Sequence, residues 1–273
     1  MQPPLLSCWA TDRGHMKTSE PRIVHLTETG STNADAMRLA LDGEALPLWV
    51  VAERQSAGRG RAGRSWASLS GNLNASLAIV SDAPLARAGE LALVAGLALY
   101  DAVRATTLLA TDAGLRLKWP NDLLIGAAKA GGILVETTTA RGEPGFLAVI
   151  GFGLNIASCP GDLGRAVTCL ADSDAAPIPD DVLKALTASC DTWLSHWDSG
   201  LGFREHIART WIDRGGPLGE AISIHTAQGR VTGSYQGLDD SGYLLLKTPD
   251  GQAHTFTYGD VALVAYDSNG GTV

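Results

Sequence analysis

Alternating apolar and polar positions over residues 22–27 predict a short strand, and Ser31-Thr32-Asn33 ahead of 34–40 (ADAMRLA) reads as a helix start with a hydroxyl cap. Further strands are expected over 48–53 and 73–80, a helix over 91–106, short strands over 115–118 and 123–125, and longer ones over 132–138 and 146–151. Pro177 and Pro179 precede a helix expected over 181–195 with Asp180 as its cap, and a second helix is expected over 203–212. Strands and helices mix without strict alternation. The expected fold class is therefore α/β of the α+β kind, on a mixed sheet rather than a doubly wound one. Beyond Gly215-Gly216-Pro217 the pattern shortens. Residues 220–264 hold brief alternating runs parted by Gln228-Gly229, Asp240-Ser241-Gly242 and Asp250-Gly251, which predicts a small β-barrel. A unit of roughly fifty residues needs to dock on its neighbour for stability. The expected division is a leader at 1–20, disordered by its Pro and Ser content, a main domain at 21–216 and a small β domain at 217–273, with Met16 an alternative start to Met1.

Charge narrows the partners. The chain has 273 residues, 21 Lys and Arg against 29 Asp and Glu, and a formal net charge of -8. That balance argues against a whole-surface grip on DNA or anionic lipid, so any phosphate chemistry must be local. The longest apolar run, 91–100, is too short to span a bilayer and is interrupted by Gly96. The first twenty residues lack the features of a secretory signal, and a cytoplasmic protein is expected. Cys8, Cys159, Cys169 and Cys190 form no Cys-x-x-Cys pair and show no zinc spacing, so they read as reduced thiols. No two of the six histidines stand at i and i+4, which points away from a zinc enzyme.

Residues 55–65 (QSAGRGRAGRS) concentrate three arginines and three glycines. Read literally, Gly58-x-Gly60-x-x-Gly63 matches the dinucleotide fingerprint. The fingerprint requires a helix after the third glycine, and Arg64-Ser65-Trp66-Ala67-Ser68-Leu69-Ser70-Gly71-Asn72 is poor in helix formers. On its own the segment is open to three readings: a loop that folds around an anion, a solvated basic loop, or an Arg/Gly tract that grips RNA.

Four further segments stand in order with it: Ser31-Thr32-Asn33, Lys118-Trp119-Pro120-Asn121-Asp122, Lys129-Ala130-Gly131-Gly132-Ile133-Leu134-Val135-Glu136, and Gly151-Phe152-Gly153-Leu154-Asn155. Together they closely resemble the biotin-protein ligases, whose motifs run STN, GRGRxGRxW, KWPND, KxxGILxE and GxGxN. Five linked motifs are far more specific than one. The resemblance runs from about His25 into the small β domain, which looks like that family's SH3-like C-terminal unit. Because the ligase motifs begin near residue 25, it implies the short form without a DNA-binding domain. Where the family tends to carry a proline and an aromatic after the arginine loop, this chain has Leu69 and Asn74.

What the resemblance implies is a ligase that activates biotin with ATP and Mg2+ to biotinyl-5'-AMP and then transfers biotin to a lysine of a carboxylase's carrier domain. It would have no permanently bound cofactor and would work as a monomer or homodimer. Catalytic roles would fall to Lys118, Arg61 and Arg59. Biotin would be held by Ser31, Thr32, Asn33, Gln55, Gly58, Arg59, Gly60, Lys118 and Gly132, and the nucleotide by Arg61, Arg64, Trp66, Asn121, Asp122, Lys129 and Asn155, with Asp122 the candidate for contact with Mg2+.

Elementary electrostatics makes a parallel demand. A carboxylate and a phosphate about 4 Å apart repel by roughly 4 kcal/mol at an effective dielectric near 20, and fixed cations must offset that. Each candidate also has a bland reading. Ser31 and Thr32 are ordinary caps, Trp66 a core or lid aromatic, Lys118 a strand-end lysine, Asn121-Asp122 an Asx turn and Asn155 a buried structural amide. Rival functions are a lipoate-type ligase, a non-catalytic biotin-binding protein and a nucleic-acid binder.

Overall fold

The computed structural model of the chain describes residues 22–107, 114–139, 145–161, 164, 166–173, 176–198, 203–226 and 229–263. The expected leader, with Cys8 and Met16, lies outside the described residues.

Seven strands form one sheet: β1 (Arg22–Thr29), β2 (Leu48–Gln55), β3 (Leu73–Ser81), β4 (Leu115–Lys118), β5 (Asp122–Ile125), β6 (Ala128–Thr138) and β7 (Phe146–Leu154). Their order is β1-β2-β3-β7-β6-β5-β4, with β1 and β2 parallel and every other neighbouring pair antiparallel. The sheet is thus mixed, as the irregular strand and helix order predicts.

Both faces of its centre are apolar, and alternation assigns each residue to a side. In β7, Phe146, Ala148 and Ile150 join the larger core, while Leu147 and Val149 pack in a second cluster with Ala36 and Ala40. The larger core lies under α2 (Glu90–Thr106) and α3 (Pro179–Asp198); the second lies under α1 (Thr32–Leu41). Gly96 in α2 lets that helix lie against Trp211, because a Cβ there would stand 2.3 Å from the indole.

Two helix starts differ from expectation. The helix expected from 181 begins at Pro179, which places Asp180 in its first turn rather than at its cap. Ser31 does occupy the cap position of α1, yet its side chain makes no capping bond. The helix expected over 203–212 is a π-helix at Phe203–Ala208 that continues into α4 (Arg209–Arg214).

The C-terminal strands, β8 (Ala221–Thr226), β9 (Gly229–Leu238), β10 (Leu244–Lys247), β11 (Ala253–Phe256) and β12 (Asp260–Leu263), form a second sheet ordered β11-β10-β9-β8-β12. Ile222, Ile224, Tyr235, Leu244, Leu246 and Val261 belong to the same buried cluster as α2 and α3, so the small sheet shares the main core. The Trp119 indole fastens the join, donating to the Gly242 carbonyl at 3.0 Å.

Candidate active site

Alternation along β7 carries Leu147 and Val149 onto the α1 side, and the same period puts Gly151 and Gly153 next in line on that face. Cross-strand register adds Ser76 opposite Gly151 and Asn74 opposite Gly153 on β3, and Leu134 and Gly132 on β6. Where β7 passes beyond α1 the apolar side chains stop, and a strip of bare backbone floors a cleft of about 500 Å³.

Each glycine of that strip lies under one functional side chain. A Cβ on Gly151 would stand 2.2 Å from Asn33 Oδ1, one on Gly153 2.3 Å from Trp66 Cε2, and one on Gly132 2.9 Å from Lys129 Nζ. The glycines are required because side chains from other elements occupy the space a Cβ would fill.

One end of the cleft is polar but largely uncharged. Gln55 Oε1 accepts from the Thr32 N–H at 2.8 Å and the Thr32 hydroxyl at 3.1 Å, so Gln55 takes the place of a capping side chain for α1. Gln55 Nε2 donates to Asn74 Oδ1 at 3.3 Å, which also accepts from the Trp66 indole at 3.2 Å. Ser76 Oγ lies 2.7 Å from Thr32 Oγ1 and 2.6 Å from Asn33 Oδ1, and Asn33 Nδ2 donates to Glu136 Oε2 at 2.8 Å. Arg59 completes the chain through Glu136 at 2.9 Å. Ser31, with no capping duty, lines the same wall.

The other end is cationic. Asp122 bridges Lys118 at 2.9 Å and Lys129 at 2.5 Å. Burial, the largest single influence on Asp122, raises its pKa, but the two ammonium groups and their hydrogen bonds outweigh it and hold the carboxyl below the usual range. Arg61 donates to Asn121 Oδ1 at 3.0 Å, and burial lowers its pKa despite nearby Asp260 and Asp122. The arginine segment is itself a folded hairpin. Gly60 N–H donates to Arg64 O at 2.7 Å, Trp66 N–H to Gly58 O at 2.9 Å, and Arg59 bridges to Ser65. Gly63, with φ of 73°, makes its tight turn.

The second sheet closes this cationic end. Lys118 Nζ donates to Val261 O at 3.0 Å, Arg61 to Gly259 O at 3.4 Å, and Arg64 pairs with Asp260 at 2.7 Å. His225 and Asp260 line the wall beside them.

This architecture has known counterparts. Residues 26–155 match the Biotin/lipoate A/B protein ligase family, and residues 218–264 match the Biotin protein ligase C terminal domain. The chain is similar to the biotin--[acetyl-CoA-carboxylase] ligase of Paracoccus denitrificans, with 38% identity across 83% of this chain and 95% of the relative. The chain belongs to the biotin protein ligase family. The ligase of the same name from Mycobacterium tuberculosis is 32% identical, with 86% of each chain covered. Among solved structures, the Aquifex aeolicus biotin protein ligase in complex with biotin and ATP superposes with a TM-score of 0.73 at 26% identity, covering 89% of this chain and 98% of that one. The Leishmania major enzyme in complex with biotinyl-5-AMP gives 0.59 at 26% identity, covering 88% and 100%.

Most of the residues expected from the ligase motifs meet in this one cleft: Ser31, Thr32, Asn33, Gln55, Arg59, Gly60, Arg61, Arg64, Trp66, Lys118, Asn121, Asp122, Lys129 and Gly132 all line it. Gly58 and Asn155 do not. Gly58 is buried against Trp66, where a Cβ would meet the Trp66 carbonyl at 2.7 Å. Asn155 is 3% exposed and donates to the Thr168 carbonyl at 3.0 Å. Sequence reasoning named Asn74 and Glu136 without giving them a role, and overlooked Ser76, which with them holds the polar end, and the β12 residues that close the cationic end. Asn74 and Ser76 left one signal, polar residues at alternate positions of an otherwise apolar strand.

Proposed function

We propose that the chain couples biotin to ATP, releasing pyrophosphate, and then hands the biotinyl group to the side-chain amine of one lysine on a carboxylase's carrier domain, releasing AMP. In the first step a carboxylate oxygen of biotin bonds to the α-phosphorus as the bond to pyrophosphate breaks. In the second, the lysine nitrogen attacks the acyl carbon and the phosphate oxygen of AMP departs.

The observation that carries this reading is the division of a single cleft. An amide-and-hydroxyl end of Ser31, Thr32, Asn33 and Gln55, held from behind by buried Asn74 and Ser76, suits an uncharged polar ring system, and an end with Arg61, Arg64, Lys118 and Lys129 suits phosphates. Lys118 and Lys129 supply compact charge at fixed places, oriented by Asp122 rather than free to wander. Trp66 and the folded hairpin shield the junction between the two ends, where a mixed anhydride needs protection from water. Arg59, tied to Glu136, stands at the biotin side of that hairpin.

Mg2+ enters with ATP as part of the substrate. Asp122 and Asp260 are the carboxylates lining the cleft among the described residues, and both oxygens of Asp122 already engage lysines. That donor set suits an ion held chiefly by phosphates and water. Among the described residues no helix is long and apolar enough to cross a membrane. Use of ATP and a carboxylase as substrates supports a cytoplasmic reaction.

The decisive assay follows labelled pyrophosphate into ATP with purified protein. Exchange that depends on biotin, followed by biotinylation of an added carrier domain, is expected. Absence of biotin-dependent exchange would overturn the assignment, and exchange supported equally by lipoate would shift it to that substrate.

A further inference from the structure

Away from the cleft, residues 156–159 and 168–173 gather a second set of reactive groups. Cys159, Cys169 and Asp172 each bring one donor atom to within 4.8 Å of the others. Their backbones are fixed from two sides. Asn72 Oδ1 accepts the N–H groups of Ile156, Ala157 and Ser158 at 2.9, 3.1 and 3.3 Å, and Asn72 Nδ2 donates to Ser158 O at 2.8 Å, which clamps the chain leading into Cys159. Opposite, Cys169-Leu170-Ala171-Asp172 closes a tight turn. Asp172 N–H donates to Cys169 O at 3.2 Å, while Cys169 N–H and the Thr168 hydroxyl donate to Asp172 Oδ2 at 3.1 and 2.9 Å. Leu170 N–H to Asn155 O at 3.1 Å and Ala171 N–H to Ile156 O at 2.9 Å tie the turn to the clamped chain.

Two sulfurs with one carboxylate oxygen are a soft donor set, which selects zinc-like cations over magnesium or calcium. In a tetrahedral site with bonds of about 2.3 Å, the sulfurs stand roughly 3.8 Å apart. Donors already within 4.8 Å reach that spacing by side-chain adjustments of about 1 Å. Cys169 is buried, Cys159 half-buried and Asp172 exposed, so a fourth position faces water. The hydrogen bonds that Thr168 and the Cys169 amide make to Asp172 are of the kind that orient a ligating carboxylate.

We propose that Cys159, Cys169 and Asp172 bind one thiophilic divalent cation of the Zn2+ class. Binding displaces the two thiol protons to solvent and forms two metal–sulfur bonds. The site staples a strap that pairs with Lys129: Lys129 N–H donates to Ala166 O and Thr168 N–H to Lys129 O, both at 3.0 Å. Ala166 also lines the cleft, so metal loading steadies the flank of its cationic end.

The test uses the full chain, reduced and stripped with chelator, titrated with Co2+ as a spectroscopic probe. A sulfur-to-cobalt charge-transfer band saturating at one equivalent is expected, along with protection of the half-buried Cys159 thiol from a thiol reagent on adding Zn2+. Cys159→Ser should weaken binding by about a hundredfold or more, beyond the ~10–100-fold typical of disturbing a supporting group, and Asp172→Asn by about tenfold. Both variants alter residues that reach the surface, and a metal-free melt establishes that they fold. No thiolate band, a band unchanged in both variants, or cysteines that pair as a disulfide in air and take up no cobalt after reduction would each overturn the site. None of these readouts depends on ligase activity.

Discussion

An alanine at position 153 would place its Cβ 2.3 Å from Cε2 and 2.4 Å from Cζ2 of Trp66. Packed carbon atoms sit about 3.5–4.0 Å apart, so one partner must retreat by more than ~1 Å. Strand β7 is held on both sides by β3 and β6 and cannot yield, whereas Trp66 sits half-buried on the arginine hairpin. The indole therefore moves. Its retreat breaks the 3.2 Å bond to Asn74, worth about 0.5–1.5 kcal/mol, and the misfit adds about 1–3 kcal/mol. A loss of about 1.5–4.5 kcal/mol at the cleft corresponds to a fall in kcat/KM of roughly 10- to 1,600-fold, at ~1.4 kcal/mol per tenfold. The fold responds in the opposite direction, because Ala in a strand interior is favoured over Gly by about 0.5–1 kcal/mol. Gly153→Ala should thus lose activity while its melting temperature stays within a few degrees of wild type. Biotin-dependent pyrophosphate exchange across a biotin titration, beside a thermal melt, measures both. A kcat/KM within threefold of wild type would refute the claim that Trp66 needs the bare backbone at 153.

Lys129→Ala removes one of the two ammonium groups that depress Asp122. Stability from a depressed carboxyl is present above its unfolded pKa of ~3.9 and is lost as pH falls through the folded value, so raising that folded value moves the acid limb of Tm against pH upward. An unmoved limb would show that Asp122 does not control it. Asp260→Ala should change stability by less than about 1 kcal/mol, since the Arg64–Asp260 pair is about half exposed, 46% on each side. By freeing Arg61 and Arg64 it should lower KM for ATP a few-fold at low salt, with the difference fading as salt rises; a raised KM would count against the phosphate role. Asn72→Ala strands the N–H groups of Ile156, Ala157 and Ser158, a loss of about 2–4 kcal/mol and roughly 5–15 °C in Tm by calorimetry. A fall under 2 °C would mean that water replaces the clamp.

The chain's local patterns were enough to place the elements and to mark the reactive segments. Period-two and helical spacing put β2, β3, α2 and four of the five C-terminal strands, β8 to β11, where they lie, because burial of one face leaves its rhythm in neighbouring residues. The contiguous motifs at 31–33, 55–65 and 118–122 named the side chains of the cleft because a tight turn places successive residues around one ligand. Other features came only from register and docking. Gln55 rather than Ser31 secures the start of α1; Asn74 and Ser76 join the site because β3 pairs with β7; Arg61, Arg64 and Lys118 find partners at Gly259, Asp260 and Val261. The cysteines at 159 and 169, with no telling spacing, meet because Asn72 and the turn at Asp172 fold one segment back on itself. Local periodicity records which way a residue faces, but the partner it faces is chosen by chain that returns from 23 residues away at Thr32–Gln55 to 198 at Arg61–Gly259, and no short-range pattern carries that choice.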